Sequence, residues 1–268
     1  MLENPRSPRV RAVAKLTKRS ARTETGLFLL EGPQAVREAL AYHPAALAEL
    51  FATPTSWEKH ADLRDAAADA GIDVEFVTEQ VLAAMADTVT PQGLVAVSRQ
   101  SPTSVRDIFA ASPRLIAICE EVRDPGNLGT IIRAADAAGA DAVVLTGRTV
   151  DLYNPKVVRS TTGSLFHLPI SVGGELSDVI ARAHTAGLDV VAADVKGEDL
   201  LAARATGVLS RPTAWLFGNE ARGLDDDALA LADRALRLPI FGRAESLNLA
   251  TAASVCLYES AFAQRAEA

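Results

Sequence analysis

The stretch from Leu115 to Arg133, LIAICEEVRDPGNLGTIIR, decides the fold of this chain. Its apolar run Leu115–Cys119 predicts a buried strand, Pro125 and Gly126 mark a turn, and residues 128–138 have helical composition. The same order recurs through the second half of the chain, with strand-like runs at Ala142–Leu145, Asp189–Ala193, Ala214–Phe217 and Ala235–Leu238, and helical stretches at 175–187, 226–232 and 247–262. This alternation predicts an α/β fold with a parallel sheet covered by helices on both faces.

Two further turns in this half place small and polar residues after a strand. They are Leu216–Leu224 (LFGNEARGL) and Leu238–Asn248 (LPIFGRAESLN). The turn at Leu216–Leu224 ends a predicted strand, at the carboxyl end where open α/β sheets bind ligands. The chain has no GxGxxG loop, which argues against a nicotinamide-dependent enzyme.

The first hundred residues also alternate between strand and helix. The predicted strands are Phe28–Gly32 (FLLEG), Leu47–Phe51, Asp73–Val77 and Gly93–Val97, with helices from about Pro33, over 56–70 with Ser56 as N-cap, and over 79–86. Residues 99–114 are rich in Ser, Pro and Arg, which favours an interdomain connection with about one helical turn. We therefore predict a small α/β domain over residues 1–100, a linker over 101–113 and a larger domain over 114–268.

The composition excludes several classes of protein. With 268 residues, of which 49% are hydrophobic, the chain can bury a substantial core. No apolar run approaches the roughly 20 residues that span a bilayer, so we expect a cytoplasmic protein with no membrane partner. Cys119 and Cys256 each lie in an apolar run, and the four histidines lack metal-ligand spacing. These patterns predict no disulfide framework and no metal.

Positive charge is concentrated in two places, although the whole chain has a net charge of −7. Residues 1–22 carry a net charge of +6, which predicts a basic N-terminal arm that contacts nucleic-acid phosphates through Arg11, Lys15, Lys18, Arg19 and Arg22. The segment Asn154–Leu168 adds Lys156 and Arg159. A solvated tail and a solvated loop are equally good alternatives for these two segments.

Together, the three turns resemble the motifs of the SpoU/TrmH-type RNA 2′-O-ribose methyltransferases, members of the SPOUT superfamily. The matching residues are Asn127, Gly129 and Arg133, then Gly218, Glu220 and Gly223, then Pro239, Ser246, Leu247 and Asn248. Phe28–Gly32 and Thr90–Ala96 (TPQGLVA) similarly resemble the family's substrate-binding domain, which has a fold like a ribosomal RNA-binding protein. The resemblance is strongest from Leu115 to Glu259.

The resemblance implies methyl transfer from S-adenosylmethionine to a ribose 2′-hydroxyl of structured RNA, by a homodimer whose SPOUT-type sheet ends in a trefoil knot. It assigns the reacting site to Arg133, Asn127, Glu220, Ser246 and Asn248, and the cofactor to Gly218, Leu238, Ile240 and Leu247. Arg133 is left open between a general base and an electrostatic clamp. Guanidinium groups stay protonated in proteins, which favours the clamp.

The same residues also have plain structural interpretations. Asn127 and Ser246 are both suited to cap a following helix, and Arg133 is spaced to pair with Asp136. The order of all three motifs favours the functional interpretation, with ribosomal RNA as the substrate. Transfer RNA is the alternative substrate, and a non-catalytic RNA-binding or ribosome-assembly factor is the alternative from another class.

Overall fold

A computed structural model describes residues 1–266 and separates into two compact units. The first unit contains Met1–Ser101 and Asp151–His167, and the second contains Pro102–Val150 and the described residues from Leu168 onward. Residues 151–167, which the sequence places inside a continuous domain over 114–268, therefore fold with the first unit instead. Among residues 1–266, no helix is long and apolar enough to cross a membrane.

The elements alternate along most of the chain. Residues 1–101 form, in order, α1 (Pro8–Lys15), α2 (Arg19–Thr25), β1 (Leu27–Glu31), α3 (Pro33–Tyr42), β2 (Leu47–Ala52), α4 (Pro54–Lys59), α5 (Ala61–Asp69), β3 (Val74–Phe76), α6 (Glu79–Met85) and β4 (Leu94–Arg99). The later elements are α7 (Val105–Ala110), β5 (Leu115–Glu120), α8 (Pro125–Ala138), β6 (Ala142–Thr146), α9 (Pro155–Thr161), β7 (Ile170–Val172), α10 (Leu176–Thr185), β8 (Asp189–Asp199), α11 (Leu200–Ala205), β9 (Thr213–Phe217), α12 (Asp226–Leu231), β10 (Arg234–Arg237) and α13 (Leu249–Ala266).

The first unit is built on a mixed sheet with strand order β1-β4-β2-β3. Strand β4 is antiparallel to both β1 and β2, and β3 is parallel to β2. The predicted helix over 56–70 is two helices, α4 and α5. Its predicted cap is also wrong, because the side chain of Thr53 caps α4 while Ser56 is buried and donates to the carbonyl of Gln92.

The basic N-terminal segment is part of the core of the first unit rather than an arm. Ser7 caps α1, and Val10, Val13 and Leu16 are almost fully buried against the sheet and α6. Three apolar residues at a spacing of three occupy one helical face, while Lys15 and most other basic side chains stay exposed. The apolar stripe is short and lies among basic residues, so composition alone favours an exposed arm.

Arg22 is buried, with 2% of its surface exposed. Its Nε donates to Asp151 at 2.8 Å, and its Nη1 donates to the carbonyl oxygens of Leu16 and Thr17 at 2.8 and 2.9 Å. This guanidinium links α1 and α2 to the segment that begins at Asp151. Because its donors are already used inside the protein, the expectation that Arg22 contacts RNA is wrong.

The segment Asp151–His167 contains helix α9, capped by Asn154, where the sequence suggested a loop. The ring of Tyr153 packs on Phe28 with centroids 4.6 Å apart, and its hydroxyl accepts from the backbone N–H of Ser101. Burial raises the pKa of Tyr153 to about 12. In the same segment, the guanidinium of Arg159 forms ion pairs with Glu31 and Asp87, each at 3.0 Å, so its charge is largely used within the first unit.

The second unit confirms the predicted parallel sheet. Within the described residues, six parallel strands follow the order β10-β8-β9-β5-β6-β7. Alternate residues of β9 face opposite sides: Ala214 and Leu216 join the core formed with α7, α10 and α12, whereas Trp215 donates to the buried hydroxyl of Ser260 in α13. The strand order reverses between β5 and β9, and ligand sites of open α/β sheets lie outside the carboxyl ends of strands at such a reversal.

Candidate active site at the carboxyl ends of the parallel strands

The second of the three turns binds the first through the carboxylate of Glu220. This carboxylate accepts hydrogen bonds from the backbone N–H of Arg123 at 3.2 Å and of Asp124 at 2.9 Å, and from the side-chain amide of Asn127 at 3.4 Å. These groups belong to the turns that follow β9 and β5. At the reversal point of the sheet, the Glu220 carboxylate therefore accepts hydrogen bonds from three donors and joins the two turns.

The third turn joins the same network through Asn248. Its Nδ2 donates to Oδ1 of Asn127 at 2.9 Å, and its own Oδ1 accepts from the backbone of Ala250 and Thr251. Asn248 and Asn127 lie 121 positions apart in sequence, and Asn127 and Glu220 lie 93 positions apart. The three side chains nevertheless form one chain of hydrogen bonds, Asn248–Asn127–Glu220.

Two predicted helix caps are wrong. Asn248 rather than Ser246 caps the start of α13, because its side chain accepts from the first N–H groups of that helix. Asp124 rather than Asn127 caps α8, where its carboxylate accepts from the backbone N–H of Asn127 at 2.8 Å. The amide side chain of Asn127 is consequently free for Glu220 and Asn248.

Glu121, which sequence reasoning did not single out, ties the ends of three strands together. Its φ of +52° lies in the left-handed region, where a residue with a Cβ atom is destabilised by about 1–2 kcal/mol. Its N–H donates to the carbonyl of Thr146, its carbonyl accepts from Asn219, and its carboxylate pairs with Arg123 and Arg222. Only the folded structure reveals this position, since nothing in the local pattern marks a Glu for a positive φ.

A cavity of about 400 Å³ opens beside this network. Five of the predicted site residues line it: Glu220, Leu238, Ile240, Ser246 and Leu247. Asp194 and Lys196, in the irregular part of β8, also line it and were not predicted. The lining combines apolar side chains with a few polar and charged groups, which suits a small amphipathic ligand.

Gly218 does not line this cavity, although the family resemblance assigns it to the cofactor. A Cβ atom at this position would lie 2.5 Å from the carbonyl carbon of Gly223 and 2.7 Å from the nitrogen of Leu224. The glycine is therefore required because two backbone segments of the same turn approach each other closely. Its contribution to the site is the shape of the turn that presents Glu220.

Arg133 lies on the exposed face of α8, one turn after the buried Gly129. Across residues 1–266 its guanidinium has no hydrogen-bond or ion-pair partner, and it does not line the cavity of about 400 Å³. The structure therefore brings together Asn127, Glu220 and Asn248 and leaves Arg133 at a separate position on the same helix as Asn127.

Burial raises the pKa values of one carboxyl group and two thiols in the second unit. It raises the pKa of Glu120, at the end of β5, and repulsion from Glu121 and Asp225 adds to the increase. Burial also raises the pKa values of Cys119 and Cys256 to about 12, so neither thiol is suited to act as a nucleophile.

Two family descriptions match the chain. The SpoU rRNA methylase family matches residues 114–258, and the MRM3-like substrate binding domain matches residues 7–96. A 23S rRNA (guanosine(2553)-2′-O)-methyltransferase of Bacillus subtilis is 34% identical over 96% of this chain and 97% of its own length.

Solved structures give the same result. The AdoMet-bound rRNA methyltransferase of Sinorhizobium meliloti has a TM-score of 0.83 and 34% identity, with 97% of this chain and 96% of the other covered. The SpoU methyltransferase AviRb of Streptomyces viridochromogenes, in complex with AdoMet, has a TM-score of 0.82 and 30% identity over 98% of this chain and 100% of the other.

Proposed function

This chain belongs to the SpoU rRNA methylase family and is an S-adenosylmethionine-dependent RNA 2′-O-ribose methyltransferase, and we propose that ribosomal RNA is its substrate. The similar Bacillus subtilis protein is named for that substrate class and is matched over nearly its whole length. The match of the first unit to a substrate-binding domain supports the same proposal. A cytoplasmic location, where ribosomal RNA is found, follows from it.

The observation that carries the proposed site is the hydrogen-bond chain Asn248–Asn127–Glu220. It gathers one residue from each motif at the reversal point of the parallel sheet. In Asn127, the oxygen accepts from Asn248 and one N–H donates to Glu220, so a second N–H of the amide remains for a substrate oxygen. Glu220 and Asn248 would fix the direction in which that N–H points.

The residues of the 400 Å³ cavity fit S-adenosylmethionine. The volume of this cavity lies within the roughly 300–1,000 Å³ typical of small-molecule sites. Ile240 and Leu247 remain 38% and 43% exposed beside it, so a bound purine ring or aliphatic chain would cover apolar surface. Leu238 completes this apolar wall. When bound, S-adenosylmethionine supplies an electrophilic methyl group on a sulfonium centre.

The protein must also handle the proton of the ribose 2′-hydroxyl, because that oxygen is a poor nucleophile until the proton begins to leave. Arg133 is exposed and its guanidinium has no partner among the described residues, so it can reach RNA. A protonated guanidinium there would stabilise the developing alkoxide or orient the adjoining phosphate. The alternative role, general base, requires loss of that charge. Ser246 lines the cavity and would lie near the transferred methyl group.

RNA binding by the first unit is proposed for the basic residues that remain exposed. Arg11 and Lys15 on α1, Lys18 and Arg19 at the start of α2, and Lys156 on α9 all keep exposed side chains. Since the whole chain carries a net charge of −7, a local basic surface of this kind is needed to attract phosphates.

We also propose that the enzyme is a homodimer and that its sheet contains the trefoil knot implied by the family resemblance. An apolar stripe on α13 supports the dimer: Val255, Tyr258 and Phe262 are exposed at helical spacing, and the last two rings lie 5.5 Å apart. A second subunit would bury this stripe.

Replacing Arg133 tests the proposed catalytic site. The Arg133→Ala variant should lose transfer of a labelled methyl group to ribosomal RNA while it still binds S-adenosylmethionine in calorimetry. Arg182→Ala removes another exposed arginine, on α10, and is the matched control that should keep its activity. If Arg133→Ala lost cofactor binding, or transferred methyl groups normally, this placement of Arg133 would be refuted.

A further inference from the structure

We propose that Arg123 and Arg222 form a fork that binds a phosphate of the RNA beside the nucleotide to be methylated, with Glu121 holding both guanidinium groups. This inference rests on the proposed function, since it names a contact by which the same site grips its RNA. Both arginines belong to the second unit, in the turns that follow β5 and β9.

A single carboxylate oxygen brings the two arginines together. Oε2 of Glu121 accepts from Nη2 of Arg123 at 3.1 Å and from Nη2 of Arg222. Glu121 neutralises one of the two positive charges, so these three side chains together carry a net charge of +1. Each guanidinium has five N–H groups, and the hydrogen bonds to Glu121 leave several of them unused.

The exposure of the three side chains fits an anion site. Glu121 is 25% exposed, whereas Arg123 and Arg222 are 54% and 68% exposed. The carboxylate thus lies beneath two accessible guanidinium groups. Planar guanidinium groups match the geometry of phosphate oxygens, and two of them can bind one phosphate from both sides.

The backbone fixes this fork relative to the reacting residues. The N–H of Arg123 donates to Glu220, which also binds Asn127. The N–H of Arg222 donates to Oδ1 of Asn219, whose Nδ2 donates to the carbonyl of Glu121. A phosphate held by the fork would therefore lie at a fixed position relative to Asn127.

Backbone contacts hold Glu121 in an uncommon conformation and so fix the position of its carboxylate. A positive φ favours glycine, yet a glutamate stands here at +52° and uses its N–H, its carbonyl and its carboxylate. Strained residues that persist because several contacts hold them are concentrated at functional sites.

The carboxylate of S-adenosylmethionine is the competing anion. Arg222 lines the 400 Å³ cavity, so by itself it could bind that group. Arg123 does not line the cavity, although it shares the oxygen of Glu121 with Arg222. An anion that reaches both arginines must therefore extend beyond the cavity, which favours an RNA phosphate.

The experiment compares Arg123→Ala, Arg222→Ala and the double variant with the wild-type protein. Binding to unmodified ribosomal RNA is measured by fluorescence anisotropy over a range of salt concentrations, and binding of S-adenosylmethionine by calorimetry. Arg211→Ala is the matched control, because Arg211 is 61% exposed and pairs with the partly buried Asp189 at the amino end of β8.

We expect each single substitution to weaken RNA binding about tenfold, the cost of a lost charged contact, without changing cofactor binding. In the double variant the slope of log affinity against log salt should become shallower by about 1 rather than 2, because the two arginines contact the same phosphate and only that one contact is lost. Glu121→Gln keeps both arginines but loosens them, so kcat should fall more than RNA affinity.

Three outcomes would overturn the fork. They are an unchanged salt slope in the double variant, weaker S-adenosylmethionine binding in Arg222→Ala, and an equal loss of RNA binding in Arg211→Ala. If the wild-type protein methylates ribosomal RNA while one of these results holds, only the fork is wrong. If the wild-type protein neither binds nor methylates RNA, the proposed function fails and the fork fails with it.

Discussion

Arg22→Met should destabilise the first unit rather than weaken RNA binding directly. The substitution leaves the carboxylate of Asp151 and the carbonyl oxygens of Leu16 and Thr17 without their donor. Removing one partner of a buried ion pair costs about 3–5 kcal/mol. Because Asp151 keeps 17% of its side chain exposed and can recover some hydration, we expect a loss near the lower value, about 3 kcal/mol.

A loss of this size is a large part of the roughly 5–15 kcal/mol that stabilises an ordinary domain. Urea unfolding, combined with amide hydrogen exchange of β1 and β4, would measure it in the first unit. Arg19→Met is the matched control, because Arg19 is exposed at the start of α2. The control should unfold within about 0.5 kcal/mol of the wild-type protein.

The two variants should also differ in RNA binding. Arg19→Met should reduce the salt slope of RNA affinity by about 1, as expected for one lost phosphate contact. Arg22→Met should leave that slope unchanged under conditions in which the protein remains folded. If Arg22→Met were as stable as the wild-type protein and had the reduced slope, Arg22 would be an RNA contact and our interpretation of the first unit would be refuted.

Three further predictions concern the second unit. Gly218→Ala places a Cβ atom 2.5 Å from the carbonyl carbon of Gly223, so the affinity of this variant for S-adenosylmethionine, measured by calorimetry, should fall at least about tenfold. Gly242→Ala is the control, because a Cβ atom there meets open space, and it should bind S-adenosylmethionine normally. Glu120→Gln should raise the melting temperature more at pH 8 than at pH 4. Because the pKa of this carboxyl is raised in the fold, its ionisation destabilises the protein progressively as the pH rises above the ordinary pKa of a glutamate; an equal effect at both pH values would contradict this. Both cysteines should resist thiol reagents at pH 8 until the protein unfolds, because burial raises their pKa values to about 12; rapid labelling of the native protein would argue against burial.

The architecture of the second unit could be predicted because its signals are local. Apolar runs such as Leu115–Cys119 and Ala214–Phe217 are short, bounded by turn residues and followed by helical patterns. Each run became a strand of the parallel sheet. The helical pattern of α1 is equally local, with Val10 and Val13 three positions apart, but it is only eight residues long and is surrounded by basic residues.

The details of the site depend on contacts that no local pattern contains. Asn127 and Ser246 have the chemistry of helix caps, yet Asp124 and Asn248 take those positions. Which of several neighbouring polar residues caps a helix depends on the path of the preceding backbone. The pairing of Arg22 with Asp151 spans 129 positions, so a surface role and a buried role could not be distinguished from charge alone.

The proximity of the three motifs was implied by their resemblance to a family and not by their spacing. The structure adds a physical reason, because β5 and β9 are neighbours at the reversal point of the sheet and both motif turns leave from their carboxyl ends. Glu121 could not be found in this way, because its role depends on a positive φ and on two arginines from different turns.

The most direct test of the account is transfer of a labelled methyl group from S-adenosylmethionine to unmodified ribosomal RNA, followed by alkaline hydrolysis. We predict a labelled dinucleotide that resists hydrolysis, because a methylated 2′-oxygen cannot attack the adjoining phosphate, and we expect no such product from Arg133→Ala. Transfer to transfer RNA alone would contradict the proposed substrate. Label that is released with ordinary mononucleotides, or no transfer to either RNA, would contradict ribose methylation itself.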